Sequence, residues 1–531
     1  MSSDLPILVV GTGPASVSAA FPLVQAGLRV WMIEAGEAAL PTPAADRPTL
    51  TELRTGRPGS VAHLVGHDLG GLRDMSGYSP KLRTAASPAF VDHYARANRL
   101  SVSNFELVGT LTPGGLSNIW GAACSAYDAD DLSGTGLSPD DLAPSYRAVA
   151  ERIGLSGCLD DEMSVIHGTA LPLQPALPLG PTATQLLDTH LRTAPCSDFR
   201  LGRSRNAVLS QGLGERQPCA LDMTCLWGCP RRAIYSAAYD LAELERHPNL
   251  ILSRKVVVDV ISAGPAGGLT VAGHHADGTP FLAQADRVLV GAGAVASTRM
   301  ALEAAGRFDQ PVPMGSAPAA AFALLLPSRI GQSAPQNGFG LAQMSFRLAL
   351  SSQPHDYALG LLYDATTLSI ADLAAQTPLS RAGAVSAIST LAPAMMVGLV
   401  YLPGEYASST ATLLRTGGGQ CRMDLTGAVT AEYGPTMRRL ARTLRSLFAQ
   451  RGAWLLPGSF RPYQPGAEVH YGASLPMGTV TGRLGEMPGV PGLHLIDGAV
   501  LPRIPAKHHT FTVMANADRI GRGLAKTLLD A

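Results

Sequence analysis

The stretch Leu5–Glu34, LPILVVGTGPASVSAAFPLVQAGLRVWMIE, decides the fold. Leu5–Val10 is a short unbroken apolar run, suited to a strand buried on both faces. Gly11-Thr12-Gly13-Pro14-Ala15-Ser16 follows at once, then a helical pattern to Ala26, Gly27, and a second strand Arg29–Ile33 that ends at Glu34. Strand, glycine turn, helix, strand and acid form the order that an adenine dinucleotide needs. Gly11 and Gly13 let the turn pass close to a pyrophosphate, whose charge sits at the helix N-terminus. Pro14 and Ala15 fit the first helical turn, where the missing proline N–H costs nothing. The carboxylate of Glu34, 23 residues after Gly11, can accept hydrogen bonds from a ribose diol. Ser16 replaces a third glycine, which relaxes the helix–strand approach slightly. The motif places the chain in the α/β class with a Rossmann-like dinucleotide domain; by itself it does not separate FAD from NAD.

Two later segments favour FAD. Ala285–Gly293 (ADRVLVGAG) is a second buried strand ending in glycines, and Gly492–Gly498 (GLHLIDG) is a third, ending in Asp497-Gly498. They resemble the strands that return to the FAD domain of two-dinucleotide flavoproteins, where the late Asp contacts the ribityl or pyrophosphate region. The helix after Gly293 leads to Gly306 and no further strand with a terminal acid, so one dinucleotide is expected rather than two.

Composition sets the outer limits. With 531 residues the chain is long enough for two large domains. Its 41 basic residues balance 41 acidic ones, which removes any electrostatic reason to expect nucleic acid or an anionic membrane as partner. Aromatic residues make up only 5%, too few for a broad stacking platform. The N-terminus lacks a basic region followed by an apolar core and a cleavage site, so the expected location is the cytoplasm. The uncharged stretch Ala382–Leu402 holds Pro393 and Gly398 and reads as a helix feeding a strand rather than a membrane span. A surface helix touching lipid, and with it peripheral membrane association, is the alternative.

These residues resemble the glucose–methanol–choline (GMC) oxidoreductase family in four blocks spread over nearly the whole chain. The first is the N-terminal fingerprint with Glu34-Ala35-Gly36. The second, TPGGLSNIWGAA (Thr112–Ala123), is similar to the family's loop along the isoalloxazine ring, which implies Gly115, Ser117, Asn118 and Trp120 as FAD contacts. The third, VLVGAGAVASTRMAL (Val288–Leu302), resembles the second family signature and implies Gly293. The fourth runs from His470 to Arg519 and implies Asp497, Gly498 and Thr512. A further helix, Asp141–Gly157, looks like that of the pyranose-oxidase and FAD-dependent sugar-dehydrogenase branch. Some members of that branch attach FAD through a His before the Trp; here that position is Ile119, so non-covalent FAD is expected. The family's usual Gly-Thr pair is Ala473-Ser474 in this chain.

Alcohol oxidation by flavin removes a hydroxyl proton as hydride leaves carbon for the flavin N5. A neutral imidazole is the natural base near pH 7. The resemblance implies His470 as that base and His508 as the group that binds the substrate oxygen. His509 is its immediate neighbour, and one residue of slip would exchange the two. His494, inside a strand, reads as structural.

Cys219, Cys225 and Cys229 are closely spaced, and three thiolates at such spacing can ligate an iron–sulfur cluster. The segment resembles that of bacterial dehydrogenases that pass electrons to a cytochrome. A packed loop carrying Leu226 and Trp227 is the preferred reading over the cluster, and a zinc site with a fourth ligand from elsewhere is a third.

The expected FAD domain is discontinuous, residues 1–160, 219–306 and 465–531, with a Pro-rich excursion at 161–218 as a lid or docking loop. Residues 307–464 would form a sheet-based substrate domain, from apolar runs at Ala320–Pro327, Tyr357–Tyr363, Met395–Tyr401 and Ala411–Arg415, with Gly417-Gly418-Gly419 as a turn. The implied activity is oxidation of a small-molecule alcohol, with oxygen, a quinone or a cytochrome as electron acceptor. A flavin lyase or photodecarboxylase on the same fold, or a flavin-fold binding protein, are the competing functions.

Overall fold

The computed structural model describes residues 5–44, 46–54, 60–65, 84, 90, 93–168, 170–264, 267–375, 377, 379–417 and 420–530. Gly418 and Gly419 of the expected glycine turn lie outside them.

The apolar run at the N-terminus forms the strand Ile7–Val10, buried along its length. It lies at the centre of a five-stranded parallel sheet, ordered Leu493–Leu495, Val288–Val290, Ile7–Val10, Val30–Ile33, Leu250–Ser253. Burial explains why Ile7–Val10 and Val288–Val290 are unbroken runs of Val, Ile and Leu, whereas the edge strand Leu250–Ser253 is only half-buried and ends in a serine. The helix Pro14–Gln25 leaves the first strand through the glycine turn and buries ten residues. The closing helix Thr510–Leu529 packs against it. The helix Pro139–Ile153 joins this layer, and a capping box of Ser138 and Asp141 fixes its start.

The second layer is a seven-stranded sheet. Its main path is antiparallel: Trp454–Leu455, Ala319–Leu325, Met395–Tyr401, Tyr357–Asp364, Met344–Ala349 and Phe199–Arg203. Residues alternate between its two faces. Phe322, Phe346, Met396 and Val400 pack with Leu440, Leu444 and Phe448 of the helix Tyr433–Ala449. Ala321, Leu361, Tyr363, Val397, Leu399 and Tyr401 face the other way and line a large cavity. The stretch 161–218, read from sequence as an excursion, carries the helix Pro181–Arg192 and supplies the edge strand Phe199–Arg203. Thr410–Arg415 lies not in this sheet but in a smaller one that pairs Cys421–Thr426 with Leu100–Ser103.

Arg381–Leu391 is a helix that leads through a short turn into Met395–Tyr401, the order expected from the uncharged stretch. Among the described residues no helix is long and apolar enough to cross a membrane.

Candidate active site

A cavity of about 1160 Å³ runs between the two layers. The carboxyl ends of the parallel strands open into it at Val10, Ile33, Gly291 and Asp497, the usual ligand crevice of such sheets. Gly11 has φ +94°, and a Cβ there would sit 2.7 Å from the Gly291 carbonyl oxygen, so the turn admits no side chain. Gly13, Pro14 and Ala15 border the cavity. The first intrahelical hydrogen bond is donated by the Val17 N–H to the Gly13 carbonyl at 3.1 Å. The N–H groups of Ala15 and Ser16 therefore precede the helical ladder and can receive an anion.

Glu34 is buried and held twice: it accepts hydrogen bonds from the Thr12 hydroxyl and from the Gly36 N–H at 2.7 Å. Burial raises its pKa, opposed by those donors. Thr12 also accepts the Gly114 N–H at 3.3 Å, tying the dinucleotide turn to the next loop. Sequence reasoning passed over Thr12, because a hydroxyl between two glycines carries no distinctive pattern.

Gly115, Ser117 and Trp120 line the cavity, although their polar groups mostly brace the loop. Ser117 donates to the Gly114 carbonyl at 2.5 Å and accepts the Ala237 N–H at 2.9 Å. Trp120 donates to the Tyr235 carbonyl at 2.8 Å. Asn118 is turned away and bridges the Pro113 carbonyl and the Ser236 hydroxyl. Ser16 is absent from the cavity wall too; its hydroxyl donates to the Gly291 carbonyl at 3.1 Å and fastens helix to strand. Thr512 shares a 2.7 Å hydrogen bond with the Tyr146 hydroxyl inside the helix layer. Gly293, Asp497 and Gly498 do border the cavity. Burial lifts the Asp497 pKa to about 6, against hydrogen bonds from Ser297 and the Ala499 N–H.

His470, His508 and His509 meet at the far end of the same cavity. The His470 ring centroid lies 5.2 Å from that of His508 and 5.3 Å from that of His509. Tyr401 packs edgewise on His470 at 4.9 Å and on His508 at 5.2 Å. Nδ1 of His470 and both ring nitrogens of His508 are buried without a hydrogen-bond partner. Burial pushes the His470 pKa well below its ordinary value, helped by the neighbouring imidazoles, and takes His508 to about 3 and His509 to about 4. Three neutral rings are thus left with free nitrogens at a cavity wall. Just before His470, Val469 has φ +60°, a strained conformation for a β-branched residue. Ala473 has φ +52°, which accounts for glycine as the usual residue there. His494 sits in its strand with Nδ1 3.0 Å from the Leu484 carbonyl oxygen.

Lys507 anchors the imidazole segment from behind. Its ammonium, 1% exposed, lies 2.7 Å from both Asp128 and Asp131. Nothing in the local sequence distinguishes this lysine from a surface one.

The cysteine turn is clamped by Arg47, which donates to the carbonyls of Trp227 (2.9 Å) and Gly228 (2.8 Å) and to the Thr224 hydroxyl. Cys219, Cys225 and Cys229 are free thiols. Burial pushes the Cys219 thiol up to about 12 and raises that of Cys225 well above the usual range. Among the described residues, no group of three or more His, Cys, Asp or Glu side chains is placed to hold a metal ion.

No family model matches the sequence, and no curated protein matches it. The resemblance lies in the fold. A pyridoxine 4-oxidase from Mesorbium loti superposes with a TM-score of 0.62 at 14% identity, over 98% of this chain and 99% of that one. A fungal aryl-alcohol oxidase superposes with a TM-score of 0.57 at 15% identity, over the full length of both. The fold of this chain is the one these two oxidases share, a GMC-type α/β fold with a Rossmann-like dinucleotide domain and a sheet-based second layer.

Proposed function

We propose that the protein is an FAD-dependent oxidoreductase that oxidises an alcohol carbon, with His470 as general base. The observation that carries this reading is the continuity of one cavity from the Gly11–Glu34 turn to His470 and His508. The turn fits the cofactor: Gly11 leaves no room for a Cβ, the first helical N–H groups face outward, and Glu34 stands ready for a ribose. Gly11, Gly13, Ala15, Glu34, Gly115, Trp120, Gly293, Asp497 and Gly498 would hold FAD non-covalently. When bound, FAD supplies the acceptor for the hydride that leaves the alcohol carbon.

The remaining work falls to the chain's own groups. His470 is uncharged at neutral pH and can take the hydroxyl proton on a ring nitrogen. An imidazolium is costly in this apolar setting, which favours proton uptake together with hydride departure rather than before it. His508, with both nitrogens free, can donate to the substrate oxygen as negative charge develops there. The apolar face of the seven-stranded sheet and the Tyr401 ring exclude water from the reacting atoms. The two neighbours in fold are named as oxidases, one of them an aryl-alcohol oxidase, which supports oxygen as the electron acceptor.

Anaerobic mixing with alcohols is the test. The oxidised flavin absorbance of the wild type should bleach with the right alcohol, and His470→Ala should slow that step by about 10²–10⁴-fold. Equal bleaching rates in the two proteins would refute the role of His470. Turnover without net flavin reduction would favour lyase or photochemical use of the fold instead.

A further inference from the structure

Glu468 lines the same cavity two residues before His470, and neither sequence motif nor the chemistry above uses it. The residue is 6% exposed, and both carboxyl oxygens are buried without a hydrogen-bond partner. Burial raises its pKa to about 8, against the nearby Ser316 hydroxyl and Gly466 backbone, which lower it. At neutral pH the group is therefore mostly a carboxylic acid, able to donate and to accept. A buried carboxyl with no partner is destabilising. The cavity that it lines has room for such a partner.

Position decides which contents. Glu468 interacts with Tyr401, whose pKa is raised first by burial and further by nearby acidic groups including Glu468. Tyr401 packs on His470 and His508. Val469, with φ +60°, separates Glu468 from His470 in the chain. The carboxyl thus belongs with Tyr401 and the imidazoles it packs on. The cavity wall is largely apolar, with Leu361, Met395, Val397 and Leu399 among its residues, beside a few polar ones such as Arg461 and Gln464. Such a site recognises a largely apolar molecule through a small number of polar groups. One polar group, the reacting hydroxyl, is taken by the imidazoles, which leaves the carboxyl for another.

We propose that Glu468 is the specificity-determining residue of this site and receives a second hydrogen-bond donor, a hydroxyl or amine, carried by an otherwise apolar alcohol. The assignment rests on the oxidoreductase reading and adds the substrate class to it. A site built to hydrogen-bond a substrate group rejects the analogue lacking it, because the buried partner is then left unpaired.

Holoenzyme is assayed for steady-state alcohol oxidation with an electron acceptor present, alongside anaerobic flavin reduction, using matched pairs that differ in the donor alone: 3-hydroxybenzyl against 3-methoxybenzyl alcohol, and 1,6-hexanediol against 6-methoxyhexan-1-ol. The wild type should prefer the hydroxylated member of at least one pair in kcat/KM. Glu468→Leu should lower that preference by about 10- to 100-fold, chiefly through KM, while raising the Tm by removing an unsatisfied buried group. Glu468→Gln, which keeps shape and hydrogen-bonding capacity, should retain most of the preference. A wild type indifferent to the donor, or an unchanged preference in Glu468→Leu, overturns the assignment and leaves alcohol oxidation standing. Failure of every alcohol to reduce the wild-type flavin overturns both.

Discussion

Replacing Lys507 by Met should expose how the imidazole segment is held in place. Burial lowers the pKa of the ammonium, but Tyr357, Asp131 and Asp128 raise it well above the usual lysine value. The two carboxylates are not equivalent. Asp131 is 2% exposed and Asp128 is 56% exposed, though each stands 2.7 Å from Nζ. Without the ammonium, Asp128 can turn to water, whereas Asp131 is stranded as a buried unpaired charge. Breaking a buried pair from one side costs about 3–5 kcal/mol, a large share of the roughly 5–15 kcal/mol that holds a typical protein folded. Asp128→Asn removes the more exposed half of the arrangement and should cost at most about 1 kcal/mol. The double variant Lys507→Met/Asp131→Leu should recover most of the single-variant loss, since apolar replacement of a buried pair is often neutral. Urea unfolding followed by tryptophan fluorescence gives all three values. Flavin reduction measured in parallel should fall in Lys507→Met, because His508 is the next residue. A cost under about 1 kcal/mol for Lys507→Met, or a double variant less stable than it, would refute this account of the segment.

Three further outcomes rest on one strained backbone position, four buried imidazoles and one hydrogen bond. Ala473→Gly places glycine at φ +52° and should stabilise the fold by about 1 kcal/mol, read as a higher Tm; a lower Tm contradicts the strained backbone. His508 and His509 are depressed to about 3 and 4, and His470 and His167 lie well below 6.5. Their neutral forms stabilise the fold fully above the unfolded pKa of about 6.5, and that stability is lost as pH falls from there through the folded values. Urea midpoints that stay level between pH 7 and pH 4 would contradict this. Thr512→Val breaks the hydrogen bond with Tyr146 and should cost about 1 kcal/mol of stability with FAD affinity unchanged; a large loss of affinity would show that Thr512 touches the cofactor after all.

The parallel sheet and its ligand crevice were legible because they rest on local, redundant signals. Four buried apolar residues, a glycine turn, a helix, a second strand and a terminal acid stand in that order within Ile7–Glu34, and a strand buried on both faces favours such an unbroken apolar run. His470 and His508 were reached by position within motifs, and the structure brings them to one cavity wall. Ser16, Asn118 and Thr512 show the limit of that method. Each sits inside a motif, yet its side chain is spent on a carbonyl or hydroxyl of the scaffold, which motif position cannot reveal. Glu468, Thr12 and Lys507 were missed for the opposite reason: their importance lies in burial and in partners distant in sequence. Thr410–Arg415 alternates like the other strands, and only long-range pairing assigns it to a separate sheet.

Titration of the cofactor-stripped protein with FAD, followed by quenching of flavin fluorescence, bears most directly on the site. Wild type should bind one FAD per chain and turn yellow. Gly13→Val, whose side chain would meet no other protein atoms at its Cβ and would enter the cavity that Gly13 borders, should fold without binding it. A wild type that stays colourless in excess FAD, or a Gly13→Val variant that binds as tightly, would contradict a flavin in this cavity.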